Sequence, residues 1–458
     1  MDHRDRARVA ALLTISLAGP AGVVRGWAEP AVEPVLEVLS PLVGSVQQVG
    51  GATDGVSKLA PGTPVTYAAQ RANVVRADGS HEAGWPFAMS FLAITPSLQV
   101  SDTIVGPFPG SGLVSIRVLG DGRLSVLMPD ESDPAARDPR IAPVLLRRTE
   151  VGREIAAKLG FHEPRAFRAG ESEFLLSARS GLTPNWIASS DGTIGAITVS
   201  GTVHLLQIDR SGAVHGLWRE SAAEETKARV ELMGWPVLST DGSALVATKI
   251  IMERGEVPTE RTLLYRVRVD DGLALPSVET IDGAYRAVAC SKDARVVALV
   301  DVSRPNSLRF VGTTSEFERW YPMVNRNLDF AGITHRLYAS PSGTSRDLHL
   351  LELGSHGVRD IKSMTLPASA PITAPRVDSI DLDCTLAAAR SQSGEVFVFA
   401  TSGGEETAVV VGRFPRDQCP CDVRVIDWTT PAAKPAIYFS TTPEGKDRPR
   451  VRLFRYST

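Results

Sequence analysis

The chain has 458 residues, 43% of them hydrophobic and 22% charged, a globular composition that excludes wholesale disorder. Acidic and basic side chains nearly balance at a formal net charge of -3, so the overall electrostatics give no reason to hold nucleic acid or an anionic membrane. With 39 Gly and 31 Pro the punctuation is dense, which favours many short strands and turns over long helices.

Residues 1–28 read as a secretory signal peptide. Arg4, Arg6 and Arg8 precede an apolar run from Val9 to Val24, interrupted by Gly19 and Pro20. Gly26-Trp27-Ala28 then supplies a small-x-small site for cleavage after Ala28. The run is short for a membrane span, which needs about 20 apolar residues, and no other stretch reaches that length. The expected location is therefore the periplasm or the exterior, with no integral membrane segment after cleavage. Residues 29–60 are set apart as an N-terminal extension, and residues 61–458 as one β domain. Helical periodicity is confined to Val151–Lys158 and Pro34–Leu39.

The body repeats about every fifty residues. Segments beginning at Trp186, Trp235 and Ala287 each show an apolar strand, a small residue, a variable position, Asp and another small residue, and then two further strands. A unit with the same shape begins at Leu113. A degenerate copy begins at Ser379, a weaker one at Ala331, and a last one at Arg424. The recurring acids are Asp121, Asp191, Asp241, Asp293 and Asp383. Period-2 alternation marks the strands: Val203 and Leu205 share a face, as do Tyr265, Val267 and Val269. The Asp-Gly pairs fall where a hairpin needs positive φ. Three or four short strands per unit is half the length of a sandwich domain and suits one propeller blade.

The S-x-D-G turn followed by two strands resembles the TolB-type (PD40, WD40-like) propeller repeat, best in Ser189–Gly212 and then in Ser239–Gly272 and Ser291–Gly312. The resemblance implies a periplasmic or extracellular scaffold, a ligand-binding domain or a lid on a peptidase. No G-x-S-x-G elbow occurs, so nothing points to a fused peptidase. The expected fold is all-β: a single propeller of seven four-stranded blades, with six or eight as the alternatives. An N-terminal strand, near Thr66 or Asn73, pairs with the C-terminal blade to close the ring. If residues 60–110 make their own blade, the count is eight.

Chemistry is sparse. Asp121, Asp191, Asp241 and Asp293 are read as structural turn residues that satisfy local backbone donors, against the rival reading of a cation-binding ring at one mouth. Cys290 and Cys384, in apolar contexts, are expected as buried free thiols. Cys419 and Cys421, in the sequence QCPCD, form a possible strained disulfide, with a redox or metal role as its sharper reading. His204 and His349 occupy strand positions as partly buried polar residues. No metal-ligand spacing and no nucleotide-binding glycine motif appears, so no cofactor is expected. The leading function is non-catalytic binding of a protein, peptide or glycan at a propeller face. The rivals are a propeller enzyme of the lactonase, lyase or sugar-hydrolase kind with its site in the central channel, and a quinoprotein-like redox subunit.

Overall fold

The architecture is taken from a computed structural model. Of residues 1–184 it describes nine strands and the turn at 97–99; of residues 185–456 it describes all but short connections, the longest being 427–435. The protein is an all-β propeller. Among the described residues there are eight antiparallel sheets of three or more strands.

Sheet 1 holds Thr66–Asn73, Phe87–Ile94 and Val100–Phe108; sheet 2 holds Ser115–Val118, Leu124–Asp130 and Arg140–Leu146. Sheet 3 runs Asn185–Ala188, Ile194–Val199, Thr202–Ile208 and Val214–Ser221. In sheet 4 a broken first strand, Arg229–Met233 and Val237–Leu238, is followed by Ala244–Glu253, Thr259–Asp270 and Leu273–Asp282. Sheet 5 has Tyr285–Cys290, Val297–Asp301 and Leu308–Val311. The first strand of sheet 6 is also broken, as Tyr321–Pro322 and Gly332–Ile333, and precedes Arg336–Ser340, Asp347–Gly354 and Gly357–Thr365. Sheet 7 comprises Val377–Ile380, Leu386–Arg390, Val396–Ala400 and Val409–Phe414. Sheet 8 comprises Asp422–Ile426, Ala436–Thr441 and Arg450–Tyr456, with Val32–Leu39 on its far edge. A short two-stranded piece, Arg168–Ala169 with Ser172–Glu173, lies between sheets 2 and 3 in sequence.

Sheets 3 to 8 pack face to face in chain order. Sheet 7 shows why the sequence demands this. Every residue of Val396–Ala400 is buried, so both faces of the strand are covered. Phe397 and Phe399 pack with Tyr338, Leu348 and Leu350 of sheet 6. Val396, Val398 and Ala400, pointing the other way, pack with Val423, Val425, Ile437 and Phe454 of sheet 8. Strand alternation sends successive side chains to opposite faces, and here both faces meet apolar neighbours. At about 25 cal/mol per Å² of apolar surface, this double burial is the main favourable contribution to holding adjacent sheets together. Sheet 4 repeats the logic. Leu245, Ala247, Tyr265 and Val267 meet Val203 and Leu205 of sheet 3, while Ala244, Val246 and Leu264 meet Val297 and Leu299 of sheet 5. Tyr265, Val267 and Val269 do lie together on the sheet 3 side.

The first strands of neighbouring sheets lie against one another: Asn185–Ala188 by Val237–Leu238, Val237–Leu238 by Tyr285–Cys290, and Tyr285–Cys290 by Gly332–Ile333. They form the hub, and the sheets spread outward from it.

The N-terminal strand differs from the sequence expectation. Val32–Leu39 pairs antiparallel with Arg450–Tyr456, from Val32 opposite Tyr456 to Leu39 opposite Arg450, with a bulge between Pro34 and Leu36. The strand that joins the C-terminal sheet is therefore neither of those expected near Thr66 and Asn73, and Pro34–Leu39 is not helical. Thr66–Asn73 instead opens a sheet of its own with residues 87–108. The exposed edge of Arg450–Tyr456 supplies a ladder of hydrogen bonds that outweighs the weak helical pattern of a six-residue segment. The other helical expectation, Val151–Lys158, lies outside the described residues.

Candidate functional site

One turn recurs between the first and second strands of sheets 3, 4, 5 and 7, and it builds the frame of the candidate site. In sheet 4, Ser239 N donates to Ala244 O at 2.8 Å, and Ala244 N donates back to Ser239 Oγ at 2.8 Å. Ser291 with Val296, and Ser189 with Ile194, make the same two bonds five residues apart. In sheet 7 the hydroxyl is replaced by a carboxylate: Asp381 Oδ1 accepts from Leu386 N at 2.8 Å and from Thr385 N at 2.7 Å.

The third residue after the anchor has positive φ in each of three turns: Gly242 at 76°, Ala294 at 57° and Cys384 at 53°. Only glycine adopts this conformation without steric cost. Ala294 and Cys384 are held there by the paired bonds around them. Cys384 thus sits in a turn, not in a strand. Both Cys290 and Cys384 are buried free thiols, and burial pushes the Cys290 thiol up to about 12.

Asp241 Oδ1 accepts from Ser239 Oγ at 2.8 Å, Ser243 Oγ at 2.7 Å and Ser243 N at 3.1 Å. Burial acts to raise this carboxyl, but the serine donors outweigh it and hold the group below its usual range. Asp293 accepts from Ser291 Oγ at 2.7 Å and Arg295 N at 3.2 Å, with the same net direction. Asp383 stands at the equivalent place in sheet 7, where it pairs with Lys362 at 3.3 Å. Asp121, Asp191, Cys419 and Cys421 lie outside the described residues.

Neighbouring turns are tied to one another. Ser243 Oγ donates to Lys292 O at 3.1 Å, joining sheets 4 and 5, and Ser355 bonds Asp293, joining sheets 5 and 6. A further contact skips a sheet: Thr240 Oγ1 lies 3.4 Å from His335 Nδ1, reaching from sheet 4 to the start of sheet 6. Spokes that are not neighbours can touch only near the axis, so this contact marks the hub end of the turns.

Thr240 and Lys292 are both the x of their S-x-D turns, and His335 lies in the turn just before the second strand of sheet 6. Burial, aided by the Arg336 and Lys292 cations, holds His335 below its ordinary pKa against the opposing pull of Glu352 and Asp241, so the ring is neutral at pH 7. Lys292 is exposed. These turns therefore bring together a hydroxyl, a neutral imidazole and an ammonium, beside the exposed Asp241 carboxylate, whose Oδ1 takes the bonds of its own turn. Neither Thr240 nor Lys292 stood out in the sequence, and His335 did so only as the marker of a weaker repeat. Overlaying the repeats and reading the variable position, not the recurrent one, would have found Thr240 and Lys292.

The other histidines are elsewhere. His349 Nδ1 bonds Asp360 Oδ2 at 2.6 Å and meets the edge of Trp320, on the side of sheet 6 that faces sheet 5. His204 is buried, and burial, with Arg219 across the strand pair, lowers its pKa to about 4. Among the described residues no group of three or more His, Cys, Asp or Glu is placed to hold a metal ion, and no helix is long and apolar enough to cross a membrane.

No family model matches this sequence, and no curated protein matches it. Solved structures with similar folds include three propeller-type proteins. The C-terminal WD40 domain of Sif2 shares 10% identity over 94% of this chain and 100% of its own, with a TM-score of 0.42. The polysaccharide lyase Uly1 shares 10% over 87% and 91%, at 0.36. The periplasmic gluconolactonase PpgL of Pseudomonas aeruginosa shares 15% over 66% and 87%, at 0.25.

Proposed function

We propose that this propeller is a binding protein that works outside the cytoplasm, taking a protein, peptide or glycan partner at the turn-lined mouth of the hub without carrying out chemistry on it. One observation carries this reading. Thr240, Lys292 and His335 come together from three sheets, and the neighbouring Asp241 and Asp293 each have Oδ1 engaged by donors of their own turns. Varied side chains on a repeated, rigid frame are how a scaffold presents a recognition surface. The signal-like residues 1–28 and the resemblance to TolB-type repeats support an exported scaffold. A propeller enzyme of the lactonase, lyase or sugar-hydrolase kind is the second reading, and the neutral His335, able to accept a proton, favours it.

Parallel assays separate the two. The purified protein and its Lys292→Met and His335→Asn forms are tested for saturable binding to arrayed peptides and oligosaccharides, and for turnover of aldonolactones and polysaccharides. Binding without turnover, weakened by Lys292→Met, supports the scaffold. Turnover abolished by His335→Asn in a folded protein overturns it in favour of the enzyme. N-terminal sequencing of secreted material tests export, with Glu29 expected as the first residue.

A further inference from the structure

Four charged side chains act on the His335 ring. Arg336 and Lys292 oppose its protonation, while Glu352 and Asp241 favour it, so all four stand close to the imidazole. Two of them are paired with each other: Arg336 Nη2 lies 2.8 Å from Glu352 Oε1, and Arg359 meets the second oxygen of that carboxylate at 2.6 Å. Asp293, in the next turn, has Arg295 at 3.5 Å. Lys292 and Asp241 are the two ions left over. Both are exposed, neither has an ion-pair partner among the described residues, and they do not pair with each other.

The turns hold these two residues as neighbours. Ser243 Oγ lies 2.7 Å from Asp241 Oδ1 and 3.1 Å from Lys292 O, so the carboxylate and the lysine main chain stand one hydroxyl apart. Ser239 Oγ at 2.8 Å and Ser243 N at 3.1 Å also bond Oδ1, which fixes the aspartate and leaves Oδ2 without a cation. The carboxyl is held below its usual range, so it is ionised at neutral pH. Thr240 Oγ1 and His335 Nδ1 adjoin the pair. The surface is therefore bipolar, one ammonium and one carboxylate beside a neutral ring.

The geometry points to a small zwitterion as the ligand: an amino acid or short peptide with both ends free. Its α-ammonium donates to Asp241 Oδ2, and its α-carboxylate accepts from the Lys292 ammonium. A single exposed ion pair contributes little, because water screens it and ordering the side chain costs entropy. A ligand that carries both charges makes two such contacts for one loss of translational and rotational freedom, so each end reinforces the other. A primary ammonium fits because Oδ2 is an acceptor, which a quaternary ammonium has no N–H to satisfy. This rests on the binding reading above and narrows its partner to a peptide.

The test uses the whole protein in calorimetric titrations with L-alanine and its di-, tri- and tetrapeptides, each set against its N-acetyl form and its C-terminal amide. The expected result is saturable binding of at least one free-ended member, weakened roughly tenfold or more by blocking either end. In Lys292→Met the free peptide and its amide bind alike. In Asp241→Asn, which keeps Oδ1 as an acceptor for the serines, the free peptide and its N-acetyl form bind alike. Circular dichroism and Tm confirm that both variants are folded, and Lys292→Arg, keeping a cation, restores the preference for a free carboxylate. Equal binding of free and blocked peptides overturns the zwitterion assignment, and so does the failure of every free-ended member to bind. Saturable binding of blocked peptides or of oligosaccharides in their place leaves the scaffold reading intact. End preferences that survive both substitutions place the ligand elsewhere and overturn the site.

Discussion

The hydroxyl of Tyr338 donates to the main-chain carbonyl of Asp381 at 2.7 Å, so a side chain of sheet 6 is fastened to the turn of sheet 7. The tyrosine is 4% exposed, and its ring packs in the cluster that joins the two sheets. Tyr338→Phe keeps the ring and deletes the bond. The expected loss is about 1 kcal/mol, within the usual range for one buried hydrogen bond, seen as a lower Tm with near-native circular dichroism. Tyr338→Leu adds a packing defect and lowers Tm further. An unchanged Tm for Tyr338→Phe would show that this bond contributes nothing to holding the sheets together.

Ser239 and Ser291 each accept a main-chain N–H and donate to an aspartate. Ser239→Ala and Ser291→Ala leave a buried N–H without its partner, at an expected cost of about 1–2 kcal/mol each. The two turns are joined through Ser243 and Lys292 O, so the double variant is expected to depart from the sum of the singles. Chemical denaturation of the four proteins measures that coupling, and strict additivity would mean that the turns act independently.

Asp381 sets a pH dependence. Its carboxyl is 1% exposed, and burial pushes its pKa up to about 6 despite the donors from Thr385 and Leu386. A carboxyl raised in the folded state binds its proton more tightly there than in the unfolded chain. The folded state therefore holds more protons between the ordinary value of 3.8 and about 6, and stability falls as the pH rises through that window. Asp241, Asp293 and Glu352, held low, act in the opposite sense in more acidic solution. The Asp381→Asn form isolates the term: the difference in Tm between wild type and variant should change from pH 4 to pH 7, with the wild type losing ground. A flat difference would show that Asp381 titrates as an ordinary carboxyl.

Removing residues 1–40 deletes the strand that covers Arg450–Tyr456. The bared edge presents unpaired N–H and C=O groups, a template for pairing with other chains. The truncated protein is expected to melt several degrees lower and to form soluble oligomers on size-exclusion chromatography. A monomer with wild-type Tm would show that Val32–Leu39 is dispensable to the fold.

Local features of this architecture were legible in the sequence, and features that depend on distant partners were not. The sharing of one face by Tyr265, Val267 and Val269 follows from strand alternation alone, whereas the anchoring of a turn by Ser239 shows only in the bonds its hydroxyl makes. The strand role of Val32–Leu39 depends on a partner more than four hundred residues away, which no local pattern encodes. Positive φ at Cys384 was hidden because the residue is not glycine; only its alignment with Gly242 in the shared turn reveals it. The meeting of Thr240, Lys292 and His335 is a product of radial geometry. Each is unremarkable on its own strand, and the variable position of a repeat is the one a consensus discards.

Val32–Leu39 is the outermost strand of its sheet, farthest from the axis. A tether or reporter fused ahead of Val32 would be attached at the edge strand of sheet 8, and not at the turns of sheets 4 to 6 that carry Thr240, Lys292 and His335.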